Sequence, residues 1–276
     1  MHHLLEDHSV FIHHVVPILY ERSARELIFS LDGFNLAAAS AVLFLLGEQP
    51  GKHRNSAEPC VILNKRSVKV KQPGDLCCPG GSIMHRLDFH LAKLFKLPFL
   101  SLAKWPYWRL WRQGKPQAAR FLALLWATGL REGFEEMRLN PFGLKFLGLL
   151  PPQSLVMFDR VIYPMVAWIN RQNRFYPNWE VEKIVYIPLR NLLDPENYAC
   201  YRLSFNTRPD PIQTPTTNDF PCFRHRSEFG TELLWGATYR ITTVFLEYVF
   251  NFRPPAVHSM QVLNGSLNHD YLTGQR

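Results

Sequence analysis

The fold of this chain is decided by the stretch Gly129-Leu-Arg-Glu-Gly-Phe-Glu-Glu-Met137. It lies in a segment of helical periodicity over residues 116–139. On a helix, Glu132, Glu135 and Glu136 follow at i, i+3 and i+4, so their carboxylates share one face. Like charges at this spacing destabilise a helix by about 0.2–0.5 kcal/mol per pair. Two interpretations remain open: a solvated acidic face, or a site that binds a divalent cation.

The acidic cluster has the chemistry of a Mg²⁺ or Mn²⁺ site. Magnesium typically takes one or two protein carboxylates and completes its shell with water and substrate phosphates. An ion held in this way can neutralise a diphosphate and activate water for attack on phosphorus. Arg131 stands beside the cluster and can hold one carboxylate through paired hydrogen bonds. The stretch therefore predicts metal-dependent diphosphate chemistry.

Strand signals flank this helix on both sides. Upstream, a polar turn between two apolar runs indicates a hairpin, and a loop over residues 72–81, rich in glycine and proline, follows it. Predicted strands cover residues 37–46, 60–64, 145–150, 161–170 and 183–187, predicted helices cover 10–35 and 231–250, and a polar loop covers 206–221. Strands mixed with a few helices predict an α/β sandwich with a mixed sheet.

Composition restricts the class of protein. The chain has 276 residues and is 47% hydrophobic, which excludes a disordered chain and a disulfide-stapled miniprotein. Its five cysteines lack zinc-like CxxC spacing, which is typical of reduced thiols. The sequence also has neither a signal-peptide pattern nor an apolar run of the ~18–20 residues that span a bilayer. We therefore expect a soluble cytoplasmic protein.

The positive charge of the chain is concentrated in one segment. The formal net charge is +8, yet residues 83–120 alone contain eight basic residues and one acid. Trp105, Trp108 and Trp111 alternate with these basic residues, as in an interfacial helix on an anionic membrane. The alternatives are core packing or a dimer contact with extended basic side chains, and a lid over the substrate. Nucleic-acid binding by stacking is not expected.

The Arg-Glu-Gly-Phe-Glu-Glu sequence at 131–136, with Pro79-Gly80-Gly81 before it, resembles the box of the Nudix hydrolases. The flanking motifs are similar, more narrowly, to the coenzyme A diphosphatase branch of that superfamily. These motifs are Leu63-Asn-Lys65-Arg66-Ser67, Gly74-Asp75, Phe146-Leu-Gly148-Leu-Leu-Pro151-Pro152, Tyr163-Pro164, Trp179-Glu180-Val181-Glu182 and Leu234-Trp235-Gly236-Ala237-Thr238. They follow in the same order as in that branch.

The chain departs from the family pattern within the box. Residues 83–118 are a basic, aromatic helical insertion between its two halves. Counting from Gly81, the first acid of the box falls on Leu87, with Asp88 next to it, and Arg138 replaces the closing glycine. The resulting domain prediction is an N-terminal helical extension at 1–35, a Nudix domain at 36–250 and a C-terminal tail at 251–276.

The resemblance implies a Nudix α/β/α sandwich that cleaves coenzyme A or acyl-CoA into 3′,5′-ADP and (acyl-)phosphopantetheine. A broader nucleoside-diphosphate-X hydrolase and a catalytically weakened binding or membrane-attached module are the alternatives. The implied metal ligands, for Mg²⁺ or Mn²⁺, are Glu132, Glu135 and Glu136. The implied catalytic residues are Glu136, Glu135, Arg131, Glu180 and Glu182, the substrate-binding residues are Lys65, Arg66, Gly80 and Gly81, and Trp235 and Thr238 are packing residues.

The expected partner is a phosphorylated, CoA-like small molecule. A homodimer and a peripheral contact between residues 86–114 and an anionic membrane are further hypotheses, and the corresponding location is the cytoplasm or the membrane periphery.

Overall fold

The computed structural model describes residues 2–25, 36–48, 58–95, 97, 100–155, 160–205, 217–228, 230–267 and 271. Within this part of the chain the helices are α1 (His2–Glu6), α2 (His8–Arg25), α3 (His85–Leu94), α4 (Trp108–Gly114), α5 (Pro116–Met137), α6 (Leu189–Leu192) and α7 (Gly236–Phe250). Proline fits the start of α5, because the first turn of a helix does not use its N–H groups. The predicted first helix is confirmed for α2, and its continuation over residues 26–35 lies outside the described residues.

The main sheet has eight described strands. They are β1 (Ala39–Glu48), β2 (Pro59–Arg66), β3 (Leu76–Cys77), β4 (Gly80–Ser82), β5 (Leu144–Leu149), β6 (Gln153–Leu155), β7 (Arg160–Ile169) and β8 (Val181–Pro188). Strand β1 pairs antiparallel with β2 and parallel with β7. The predicted mixed sheet and its five predicted strands are therefore confirmed, with boundaries shifted by one or two residues.

Helices cover both faces of this sheet. On β1, Leu43 packs so closely on α5 that a Cβ at Gly129 would lie 2.9 Å from its side chain. The ring of the next residue, Phe44, lies 4.9 Å from that of Phe245 in α7. Because consecutive side chains of a strand point to opposite faces, α5 and α7 lie on opposite sides of the sheet. The predicted α/β/α sandwich is confirmed.

A second sheet was not predicted from the sequence. Its described strands are β9 (Tyr198–Phe205), β10 (Thr217–Ser227), β11 (Gly230–Trp235) and β12 (Val262–Leu267), in the order β11-β10-β9-β12. The prediction of helix over 231–235 is wrong, because these residues pair with β10 as a hairpin. The predicted loop at 206–221 is wrong for 217–221, which belong to β10, and residues 206–216 lie outside the described part.

The predicted basic, aromatic helical segment contains two helices, α3 and α4, with turns in the described residues between them, and it packs on the core. Trp105, Trp108 and Trp111 are only 3–4% exposed, and the ring of Trp105 lies 5.2 Å from that of Phe146 in β5. The hypothesis that these tryptophans form a membrane-facing stripe is therefore wrong. The tryptophan side chains are buried against the core, as the packing alternative predicts. None of the helices in the described ranges is both long and apolar enough to cross a membrane.

Candidate active site

Arg131 is the centre of a buried ionic network. Its Nε lies 2.7 Å from Oδ1 of Asp88, and its Nη1 lies 3.0 Å from Oε1 of Glu132 and 3.2 Å from Oε2 of Glu135. Its Nη2 donates a hydrogen bond of 3.0 Å to the carbonyl oxygen of Ser82. Burial opposes the charge of Arg131, but its hydrogen bond to Asp88 and the negative charges of Glu132, Asp88 and Glu135 outweigh burial and raise the arginine pKa. The guanidinium thus stays charged and fixes two carboxylates of the cluster.

Asp88 is the member of this network that sequence reasoning passed over. Besides Arg131, its carboxylate accepts hydrogen bonds from the Thr128 hydroxyl at 2.9 Å and from the backbone N–H of Met84 at 2.7 Å. The side chain of Asp88 is fully buried, whereas Leu87, at the expected position of the acid, is 44% exposed. A signal was available, because Asp88 is the lone acidic residue of the basic segment.

Glu136 lies between two donors that come from different strands. Its Oε2 accepts a hydrogen bond of 2.8 Å from Nδ2 of Asn64 in β2, and the backbone N–H of Gly80 in β4 donates to the same carboxylate. Burial, together with the charges of Glu132 and Glu180, raises the Glu136 pKa to about 8. Burial likewise raises the pKa of Glu132. Asn64 was not predicted as a site residue, although it lies within the Leu63-Asn-Lys65-Arg66-Ser67 motif.

The two glycines after Pro79 allow the loop to approach the carboxylates. Gly80 has a φ of +152°, and a Cβ there would collide with the carbonyl oxygen of Ala41 and lie 2.6 Å from Cα of Val42. A Cβ at Gly81 would collide with the carboxylate of Glu132. The absence of side chains at these positions therefore determines how closely the loop lies to the acidic cluster.

The basic pair at the end of β2 divides between two environments. The charge of Arg66 lowers the pKa of Glu136, and Nε of Arg66 donates a hydrogen bond of 2.7 Å to the carbonyl oxygen of Lys71. Nζ of Lys65 lies 3.2 Å from Oε1 of Glu182 and 3.3 Å from Oε1 of Glu232. Neighbouring side chains on a strand point to opposite sides, which explains the division. The structure therefore brings Glu180 and Arg66 to Glu136, and it pairs Glu182 with Lys65.

The oxygen atoms around Glu136 suit a hard divalent cation. In the described residues, no three His, Cys, Asp or Glu side chains already converge on one point as metal ligands. The oxygen Oδ1 of Asn64 is buried, however, and has no hydrogen-bond partner among those residues. It accompanies two carboxylates whose pKa values are raised mainly by burial: the charge of Glu132 adds to the rise at Glu136, and the charges of Glu135 and Asp88 add to the rise at Glu132. Oxygen ligands of this kind are those that Mg²⁺ and Mn²⁺ prefer, and Mg²⁺ needs only one or two of them from carboxylates.

A cavity of about 450 Å³ adjoins the glycine loop. Gly80, Gly81 and Arg66 form part of its lining, and the remainder comes largely from residues 72–78 and the start of α7, together with single or paired residues of β1, β6, β7 and the second sheet and with Tyr271. Trp235 and Thr238, which were predicted as packing residues, also line this cavity.

The solved structures with which this chain overlaps include several Nudix proteins. A MutT/nudix family protein from Enterococcus faecalis has 11% identity, a TM-score of 0.39, and coverage of 84% of this chain and 70% of that chain. A NUDIX hydrolase from Alicyclobacillus acidocaldarius has 14% identity, a TM-score of 0.36, and coverage of 56% and 81%. The NUDIX domain of Shewanella oneidensis NrtR, solved with ADP ribose, has 14% identity, a TM-score of 0.33, and coverage of 63% and 85%.

Overlaps with TM-scores below 0.4 carry no argument about the site. No protein-family model and no curated protein matches the chain.

Proposed function

We propose that this protein is a metal-dependent Nudix hydrolase that cleaves the diphosphate linkage of coenzyme A or an acyl-CoA. The observation that carries the proposal is the Asp88–Arg131 contact. It joins the two halves of an interrupted Nudix box, because Asp88 follows the glycine loop and Arg131 opens the acidic cluster. We take this contact as support for an assembled site and against the alternative of a disabled module.

Each residue of the site has a proposed role. Glu132, Glu135 and Glu136 would hold Mg²⁺ or Mn²⁺, and the bound ion would supply charge neutralisation of the diphosphate and activation of water. Arg131 orients Glu132 and Glu135, and Arg66 binds a substrate phosphate. Glu136, positioned by Asn64 and Gly80, is the proposed general base, with Glu180 as the second acid beside it.

Preference for coenzyme A is supported by the sequence motifs around the site. The pattern Lys65-Arg66-Ser67 followed by Gly74-Asp75 resembles the coenzyme A diphosphatase branch. In the structure these two segments are joined, because the backbone N–H of Arg66 donates to the carbonyl oxygen of Asp75 at 2.9 Å. Cleavage at the diphosphate would release 3′,5′-ADP and (acyl-)phosphopantetheine.

The test is a hydrolysis assay on a substrate panel. Purified protein with Mg²⁺ or Mn²⁺ is incubated with CoA, acyl-CoA and nucleotide sugars, and released nucleotide is quantified. We expect metal-dependent 3′,5′-ADP release that disappears in Glu136→Gln. Preferential turnover of nucleotide sugars would favour the broader hydrolase. Binding of CoA without turnover of any diphosphate would contradict the enzyme and favour a binding module.

We also propose peripheral contact with an anionic membrane through the exposed face of the insertion. The apolar side chains of Leu87, Phe89, Leu94 and Leu110 are 44–58% exposed. The described basic residues of this segment, Arg86, Lys93, Lys104, Arg109, Arg112 and Lys115, are all exposed beside them. Positive charge around apolar groups suits a surface of anionic lipid. A second copy of the chain, as a homodimer, is the competing occupant of this face.

The location we propose is the cytoplasm. None of the five cysteines, all of which lie in described residues, forms a disulfide. Five cysteines without a disulfide are typical of a reducing compartment.

A further inference from the structure

Arg160, at the start of β7, is an exposed arginine whose guanidinium lies beside the glycine loop. Its Nη1 donates a hydrogen bond of 3.4 Å to the hydroxyl oxygen of Ser40 in β1, and it also donates to the hydroxyl oxygen of Ser82 in β4. Within the described residues these two neutral groups are its hydrogen-bond partners, and no carboxylate pairs with it. Arg160 therefore carries a positive charge that no described acid neutralises by contact.

The two serines hold this guanidinium in one place. Ser40 and Ser82 are opposite each other in the antiparallel pair of β1 and β4, so their side chains point to the same face of the sheet. Ser40 is four positions from Phe44, which faces α7, so both serines lie on the α7 side. The Arg160 side chain consequently crosses from β7 over β1 and ends at β4.

Ser82 links Arg160 to the acidic cluster. The carbonyl oxygen of Ser82 accepts a hydrogen bond of 3.0 Å from Nη2 of Arg131, and the preceding residue, Gly81, lies against the carboxylate of Glu132. Consecutive residues of a strand point to opposite faces, so Arg160 and Glu132 lie on opposite sides of β4. A cation without a carboxylate partner is thus placed one residue along β4 from the cluster.

A diphosphate can reach both sides of β4. In the described part of the chain, β4 pairs with β1 alone, so no described strand covers its other edge. One phosphate at this edge can meet the acidic cluster and its metal ion, while the other meets Arg160.

Arg131 is not available for this second phosphate. Its Nε, Nη1 and Nη2 are all engaged by carboxylates of the cluster, Asp88 and the Ser82 carbonyl oxygen. The contacts of Arg160 with described residues use Nη1 alone, so its Nε and Nη2 remain as donors. These two nitrogens form one edge of the planar guanidinium, and such an edge matches a phosphate through two parallel hydrogen bonds.

We infer that Arg160 binds a phosphate of the substrate's diphosphate from the α7 side of the glycine loop, and that Ser40 and Ser82 are positioning residues for its guanidinium. The role of this phosphate in a reaction rests on the proposed function, whereas binding of the anion rests on Arg160 and its surroundings. Loss of a charge-assisted contact of this kind should weaken binding about tenfold.

The experiment measures binding separately from turnover. Inorganic pyrophosphate and CoA are titrated calorimetrically into the protein with EDTA, and KM and kcat for CoA are measured with Mn²⁺. The variants are Arg160→Gln, Arg160→Lys and the control Arg240→Gln, which removes an exposed arginine that lines the same cavity and donates to the Ser154 carbonyl oxygen at 2.8 Å. We expect the Kd values and KM to rise about tenfold in Arg160→Gln, less in Arg160→Lys, and not in Arg240→Gln.

The positioning role of the serines has its own test. The double variant Ser40→Ala/Ser82→Ala should raise the Kd for pyrophosphate about threefold, with no further rise when it is combined with Arg160→Gln. Additive losses would show that the serines act independently of Arg160 and would contradict their positioning role.

The outcomes distinguish the inference from the proposed function. Hydrolysis of CoA with the same KM and the same Kd for pyrophosphate in wild type and Arg160→Gln overturns the inference and leaves the hydrolase standing. A Kd for pyrophosphate that rises in Arg160→Gln alone, without hydrolysis of any diphosphate by wild type, leaves the phosphate site standing and overturns the hydrolase. Equal losses in Arg160→Gln and Arg240→Gln would assign the effect to general positive charge and overturn the inference.

Discussion

Asp88 and Arg131 lie 43 positions apart in the chain and share two hydrogen bonds, of 2.7 and 3.2 Å, between a fully buried carboxylate and a guanidinium that is 5% exposed. This pair fixes α3 to α5, the helix that carries the acidic cluster. The cluster is therefore held against a helix that lies far upstream in the sequence.

Removal of the Asp88 carboxylate should lower the free energy of unfolding. Asp88→Ala leaves Arg131 buried without its main partner, and loss of one member of a buried pair costs about 3–5 kcal/mol. Urea unfolding measures this change. The matched control is Asp219→Ala, since Asp219 makes a similar two-bond contact with Arg202 at 2.7 and 2.8 Å on the exposed surface. Asp219→Ala should change the free energy of unfolding little. An equal loss of stability in both variants would contradict a structural role for the buried pair.

The stability of the metal-free protein should depend on pH through Glu136. Its folded pKa of about 8 lies above the ordinary value of 4.5, so the folded state holds a proton that the unfolded state releases. Stability therefore decreases as the pH rises from about 4.5 to about 8. Glu136→Gln cannot ionise and should lack this decrease, so its melting temperature in EDTA should exceed that of wild type more at pH 8 than at pH 5. A constant difference at both pH values would rule out a raised pKa at Glu136.

Gly81→Ala should reduce turnover while the fold is retained. The new Cβ would meet the end of the Glu132 side chain, which can move aside but then leaves its position in the cluster. We expect a lower kcat and a higher concentration of Mn²⁺ at half-maximal activity. Gly114→Ala, with no heavy atom within 4 Å of the added Cβ, is the control and should match wild type. Unchanged metal dependence in Gly81→Ala would separate the loop from the metal site.

Binding to anionic vesicles should require the exposed apolar side chains of the insertion. We expect wild type to co-sediment with phosphatidylserine vesicles, less so at high salt because the charges are screened. The double variant Leu94→Glu/Leu110→Glu should remain in the supernatant, and Val68→Glu, at a position 60% exposed elsewhere, should bind as wild type does. If instead the double variant only converts a dimer to a monomer, the face belongs to a second copy of the chain.

The sequence by itself determined those features that depend on the spacing of nearby residues. The i, i+3, i+4 pattern placed Glu132, Glu135 and Glu136 on one helix, and the proline at 116 marked the helix start. Apolar runs bounded by turns predicted five of the eight described strands of the main sheet. Each of these features depends on residues within one or two turns of one another. The order of the motifs then indicated the α/β/α sandwich.

Only the tertiary structure decided which side chains meet. Asp88, and not Leu87 beside it, accepts the hydrogen bonds of Arg131, and Asn64 donates to Glu136. The side chains of Lys65 and Arg66, at the end of β2, lie in different environments. The second sheet and the burial of the three tryptophans depend likewise on partners far along the chain. Sequence periodicity shows which face of a helix or strand is apolar. The element that packs on this face is set by how the helices and strands come together in the fold.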